Sequence, residues 1–223
     1  MTDLLAFTLV TFSAIFFVVD PFAVIPLFLA ITQRDTPKKR SATALKASLV
    51  ATATLLIFAA AGGLIFQLFG ITLGAFRIAG GILLFMLAVD MMRAQRSRVR
   101  TSPEEESEGI EREDVAVIPL GIPMLAGPGS IATVTVLMSR AETSIVHLAI
   151  VVACILATGV LTFVLLRAAT VLERTLRQTG LNILNRIMGL ILAAVAVQFV
   201  VSGLHDVIPQ IIEIRTGEST LPR

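Results

Sequence analysis

Charge along this chain collects in blocks, and between the blocks lie long stretches that carry almost none. A helix needs about 20 apolar residues to cross a hydrocarbon core of about 30 Å, and stretches that can do this recur. Leu4 to Gln33 is interrupted only by Asp20, and Ala47 to Phe76 is uncharged, with Gly70 and Gly74 expected to end its helix in a short turn. Ile78 to Val89 lies between Arg77 and Asp90, so the third span is read as Ala75 to Met92. Val115 to Ser139, Thr143 to Leu166 and Ile187 to Leu204 follow. Helices apolar on every side do not fit one small soluble domain. The fold class predicted is an all-α membrane protein with six transmembrane helices. The composition agrees: 56% of residues are hydrophobic and 15% charged, where soluble domains carry about 45–50% and 25%.

Several function classes lose their support at once. Cys154 is the single cysteine, and His147 and His205 are isolated, so no disulfide framework or metal cluster is written into the sequence. No HExxH, CxxC or GxxxxGK[ST] pattern occurs. The expectation is a protein that is not an enzyme, with no cofactor and no metal, partnered by lipid bilayer and not by nucleic acid. The first apolar run is too long for a signal peptide and lacks a basic leader, so it is expected to stay as a span.

Orientation follows from the cations near the span ends. The first connection holds Arg34, Lys38, Lys39, Arg40 and Lys46, the third Arg93, Arg96, Arg98, Arg100 and Arg112, and the fifth Arg167, Arg174, Arg177 and Arg186. The second has none, and the fourth has only Arg140. The alternation predicts cytoplasmic odd connections and both termini outside. No Trp or Tyr is present for an interfacial belt; 13 Phe are available for part of that role. Arg77 and Arg186 open their spans and read as interfacial anchors whose long stems snorkel to water.

The chain also repeats itself. Arg77-Ile78-Ala79-Gly80-Gly81-Ile82-Leu83 opens the third span and Arg186-Ile187-Met188-Gly189-Leu190-Ile191-Leu192 the sixth, identical at five of seven positions. Pro21 and Pro26 in the first span have the same spacing as Pro123 and Pro128 in the fourth. Three spans per copy forces the second copy to enter from the opposite side, which predicts two inverted three-helix repeats, a common architecture of secondary transporters. The domain division expected is a first repeat over 1–92, a charged cytoplasmic linker over 93–114, a second repeat over 115–208 and a polar tail over 209–223.

The first and fourth spans are expected to be broken at proline. Proline removes a hydrogen bond inside a helix, and Asp20-Pro21 reads as an N-cap followed by the first residue of a new half-helix. Asp20 lies roughly 25 Å along the helix from Leu4. In the fourth span, Gly127 permits a sharp turn and Pro128 starts another half-helix. Amides at such starts suit a carboxylate, and carbonyls at the preceding ends suit an ammonium or cation. A small zwitterion fits between them. The candidate substrate-binding residues are Asp20, Pro21, Pro26, Gly127, Pro128, Gly129, Ser130 and Thr133. Asp20 serves as cap, as ammonium partner or as proton carrier. Ser130 and Thr133 share a face and either line a cavity or bond back to their own helix.

These strings, Asp20-Pro21 through Pro26, Arg77 to Ile82, Pro119 to Pro123 with Ala126-Gly127-Pro128-Gly129, and Arg186 to Gly189, resemble the MarC family of inner-membrane proteins over Leu4 to about Leu204. That family is also described as small neutral amino acid transporters. The resemblance implies a bacterial inner-membrane protein that moves glycine- or alanine-type substrates, with H+ or Na+ as the coupling ion and homo-oligomerisation left open. An exporter of another small metabolite and a non-transporting scaffold are the alternatives.

Overall fold

In the computed structural model the described residues are 2–33, 35–93, 115–141 and 144–216, and among them all regular structure is helical. The elements are α1 (Thr2–Val19), α2 (Pro21–Ile31), α3 (Pro37–Phe69), α4 (Leu73–Met92), the irregular turn α5 (Ala116–Leu125), α6 (Pro128–Ala141), α7 (Ile145–Arg167) and α8 (Ala169–Thr216). Among the described residues, five stretches are long and apolar enough to cross a membrane: Leu4–Ile31, Pro37–Phe69, Leu73–Met92, Ile145–Arg167 and Asn182–Ile208. The pair α5 and α6, bent by 58° at its break, makes a sixth if it is one span.

The helix ends have local causes. Thr36 caps α3 by accepting the Lys39 amide at 3.3 Å, with Pro37 in the first position, where its missing N–H costs nothing. Gly70 closes α3 in the left-handed conformation at φ 62°, where glycine avoids the Cβ penalty. Thr72 then caps α4 through the Ala75 amide at 3.2 Å. The second helix therefore stops at Phe69, at the Gly70 turn expected from the sequence, while Gly74 belongs to α4 and not to the turn.

The sixth span departs furthest from expectation. The sequence places a basic connection before Ile187; the structure has continuous helix from Ala169 to Thr216, with only Ala168 between it and α7. Ala169, Leu172, Glu173, Arg174, Leu176, Arg177, Gln178 and Leu181 are good helix formers, and they outnumber the threonines, Val171 and Gly180 among them. The helix also runs on past Pro209, so the start of the expected polar tail is helical. Arg93 caps α4, while the rest of the 93–114 linker and residues 217–223 lie outside the described residues.

Small residues organise the packing. Along α3 the buried stripe is Ala44, Ala47, Ser48, Ala51, Leu55, Ala59, Gly62 and Phe66. Outward residues stay apolar, with Leu68 80% and Ile145 79% exposed. Between helices in lipid the hydrophobic effect supplies little, and close van der Waals contact takes its place. The α4–α8 contact, the most extensive in the molecule, works this way: a Cβ on Gly203 would lie 2.7 Å from the Gly74 carbonyl oxygen. The core forms two clusters, one around Val24, Ile25, Phe28, Leu120 and Leu125, the other around Val18, Leu84, Val136, Met188 and Leu192.

Candidate functional site

The first interruption is one residue wide. Asp20 sits between α1 and α2 at φ 46°, ψ 69°, and among the described residues it is the only one other than glycine at positive φ. Aspartate tolerates this conformation better than most residues. Its amide still donates to the Phe16 carbonyl at 2.9 Å, so the α1 hydrogen-bond pattern reaches the cap. Its Oδ1 accepts the Ala23 amide at 3.3 Å, satisfying one of the orphan donors of α2. Pro21 cannot donate to the Phe17 carbonyl, nor Pro26 to that of Phe22, so carbonyls on either side of Asp20 lack the usual donor four residues on. The Phe16 and Phe22 rings meet edge to face at 6.2 Å across the break.

The second interruption is wider. Ile118 (φ −126°, ψ 123°) and Ile122 (φ −134°, ψ 127°) are extended inside α5, and each precedes a proline, which pushes the preceding residue out of the helical region. Leu120 and Ala126 then donate five residues back, to Val115 at 3.4 Å and Gly121 at 3.0 Å. Ser130 Oγ donates across the bend to the Leu125 carbonyl at 3.0 Å, and Thr133 Oγ1 donates to that of Gly129 at 2.9 Å. Of the two roles open to these hydroxyls, both perform the backbone one. A Cβ on Gly127 would lie 2.6 Å from the Pro123 carbonyl oxygen, so only glycine fits the turn.

Not all eight candidates lie together. Asp20 is fully buried, Pro21, Gly127, Gly129, Ser130 and Thr133 are buried, Pro26 is half-buried and Pro128 is exposed. The interruptions approach through Gly129: a Cβ there would lie 3.5 Å from Val18 Cγ1, two residues before Asp20, and 2.9 Å from Leu84 Cδ2. Pro26 and Pro128 shape the half-helices from the periphery.

Arg77 has a different place from the one expected. It is 7% exposed, so its guanidinium does not snorkel to water but is ion-paired with Asp206 of α8. Gly74 creates the contact, since a Cβ there would lie 3.1 Å from Asp206 Cβ. The available signal was a glycine one turn before an arginine at a span start, together with a carboxylate near the end of the last span. Among the described residues no group of three or more His, Cys, Asp or Glu side chains could hold a metal ion.

Comparison with known proteins gives a consistent picture. A family model described as MarC family integral membrane protein matches residues 5–208. The UPF0056 membrane protein MJ1677 of Methanocaldococcus jannaschii is 39% identical over 201 residues, covering 90% of this chain and 97% of that one. The UPF0056 membrane protein YhcE of Escherichia coli K12 is 38% identical over 198 residues, covering 89% and 92%. The UPF0056 membrane protein YvbG of Bacillus subtilis is 38% identical over 205 residues, covering 92% and 97%. No solved structure matches.

Proposed function

The chain belongs to the MarC family of integral membrane proteins, and on that premise we propose that it is a secondary transporter of small neutral amino acids, working by alternating access. In this reading the first and fourth spans are each two half-helices, and spans one to three and four to six form inverted repeats. The protein sits in the bacterial inner membrane with both termini on the periplasmic side. One observation carries the reading: a fully buried aspartate caps a half-helix in the first span, and that span packs through Val18 onto Gly129 of the fourth.

The chemistry of the two breaks is complementary. The first amides of α6, at Gly129 and Ser130, have no acceptor within their own helix, and a helix start favours a carboxylate. Asp20 and the carbonyls beside it favour an ammonium. A glycine- or alanine-sized zwitterion matches that pair of environments, and H+ or Na+ couples through Asp20. Here the interruptions are packed on each other, so admission of a substrate requires Val18 and Leu84 to move off Gly129. Alternating access supplies such a motion.

The test is uptake of labelled glycine and alanine by proteoliposomes with and without imposed proton and sodium gradients. The expected result is saturable flux that one gradient stimulates. Absence of saturable flux of any small amino acid in either direction removes this reading and leaves the exporter of another metabolite or the scaffold.

A further inference from the structure

Between α3 and α7 lies a small, partly open cavity that neither interruption uses. Ser48 and Thr52 of α3, Thr158, Gly159 and Thr162 of α7, and Val19 from the end of α1 all line it. Its volume is about 10 Å³, close to the room a single water requires.

The state of its hydroxyls sets it apart. A threonine in a helix commonly donates to the carbonyl four residues back. Thr8, Thr32, Thr43, Thr52, Thr54 and Thr133 all do so. Ser48 Oγ, Thr158 Oγ1 and Thr162 Oγ1 make no hydrogen bond at all. Their residues are only 3%, 1% and 2% exposed. Buried polar atoms are almost always satisfied, by protein or by ordered water. Three hydroxyls from two helices, all unsatisfied and all on one cavity, point to a shared guest.

We propose that one ordered water occupies this cavity and bridges Ser48 of α3 to Thr158 and Thr162 of α7. A buried water typically makes about three hydrogen bonds to otherwise unsatisfied groups, which matches the three hydroxyls. A bare monovalent cation fits less well, because its dehydration is costly and no carboxylate lines the cavity. The site makes a hydrated joint between the two helices at the level of Val19, the residue before Asp20. On one side of it the Thr52 side chain lies directly on the Gly159 backbone: a Cβ on Gly159 would lie 2.1 Å from Thr52 Oγ1. On the other side the water completes the contact. Water both donates and accepts, so α3 and α7 can shift relative to each other without stranding a hydroxyl. This inference stands independently of what the protein transports.

X-ray radiolytic labelling of the full-length protein in nanodiscs, with exchange into ¹⁸O water, tests it. Hydroxyl radicals made from a bound water oxidise the side chains beside it. The expected result is label on Val19, Leu55 and Ile155 above the background of Leu120 and Leu192, and its loss in S48A/T158V/T162V. If the triple variant does not fold, S48A and T158V singly must each lower the label. No label in the wild type overturns the proposal, as does label that persists in the variants. A fall in label when sodium replaces choline in the buffer assigns the cavity to an ion and also overturns it.

Discussion

The two interrupted helical segments touch through Val18 and Gly129 but are built differently. In the first, a single left-handed residue separates the helices, the Phe16 carbonyl still receives a bond from the Asp20 amide, and Leu4–Ile31 reads as one span. In the fourth, two extended isoleucines and three prolines spread the break over a whole segment, and the axis turns by 58°. The first break is organised by a carboxylate that caps a half-helix, the second by close backbone approach and one hydroxyl. A short break with a carboxyl cap preserves direction and buries an ionisable group inside the protein. A long break made of proline and glycine changes direction and carries no charge. If both serve one ligand, the first supplies chemistry and the second shape.

The largest test of that division is Asp20→Asn. Asparagine caps helices about as well as aspartate and also tolerates positive φ, so stability should fall by no more than about 1 kcal/mol. Gradient-driven uptake in proteoliposomes should drop to the level of protein-free liposomes. Retained uptake would assign Asp20 to capping alone and erase the contrast between the breaks. Asp206→Asn sharpens the same point away from the interruptions. It strands the buried Arg77 guanidinium, a change that costs up to about 3–5 kcal/mol for a fully buried pair. The loss should be smaller here because the Asp206 side chain is 34% exposed. Its thermal unfolding in detergent should nonetheless fall further than that of Asp20→Asn.

The fourth span should respond mainly through sterics. Gly127→Ala drives a methyl against the Pro123 carbonyl oxygen, which cannot yield without moving backbone, and should cost about 1–3 kcal/mol. Gly129→Ala meets the end of the Leu84 side chain, which can rotate away, so it should cost less. The reverse order in thermal unfolding would show that the bend is held by the contact with α4 and not by its own turn. Ser130→Ala should have the smallest effect, about 1 kcal/mol for one hydrogen bond across the bend, with uptake retained. A loss of uptake with stability unchanged would give Ser130 a role in binding.

Much of the first interruption was legible in the sequence. Asp20 as cap and Pro21 as first helical residue follow from local rules, because a cap satisfies amides only a few residues away. The fourth span was less legible. Its prolines announce disruption, but the extended Ile118 and Ile122 and the wide turns depend on what packs around them. Arg77 was misplaced because a residue one turn inside a span can face water or a neighbour, and the choice belongs to α8. The hydroxyls of Ser48, Thr158 and Thr162 could not be linked at all, since their juxtaposition exists only once α3 and α7 pack.

By itself, then, the sequence determined the membrane setting, the helical class and those helix stops that proline, glycine and capping residues write locally, but not the run of α8 through the expected connection before Ile187. Those depend on apolar length, proline and capping groups, which act within a few residues along the chain. Tertiary structure decided which of those stops meet, that Arg77 pairs with Asp206, and that three hydroxyls share one cavity. Each of those contacts joins helices far apart in sequence, and in lipid the match of small residues across a helix interface determines which helices come close enough to make them.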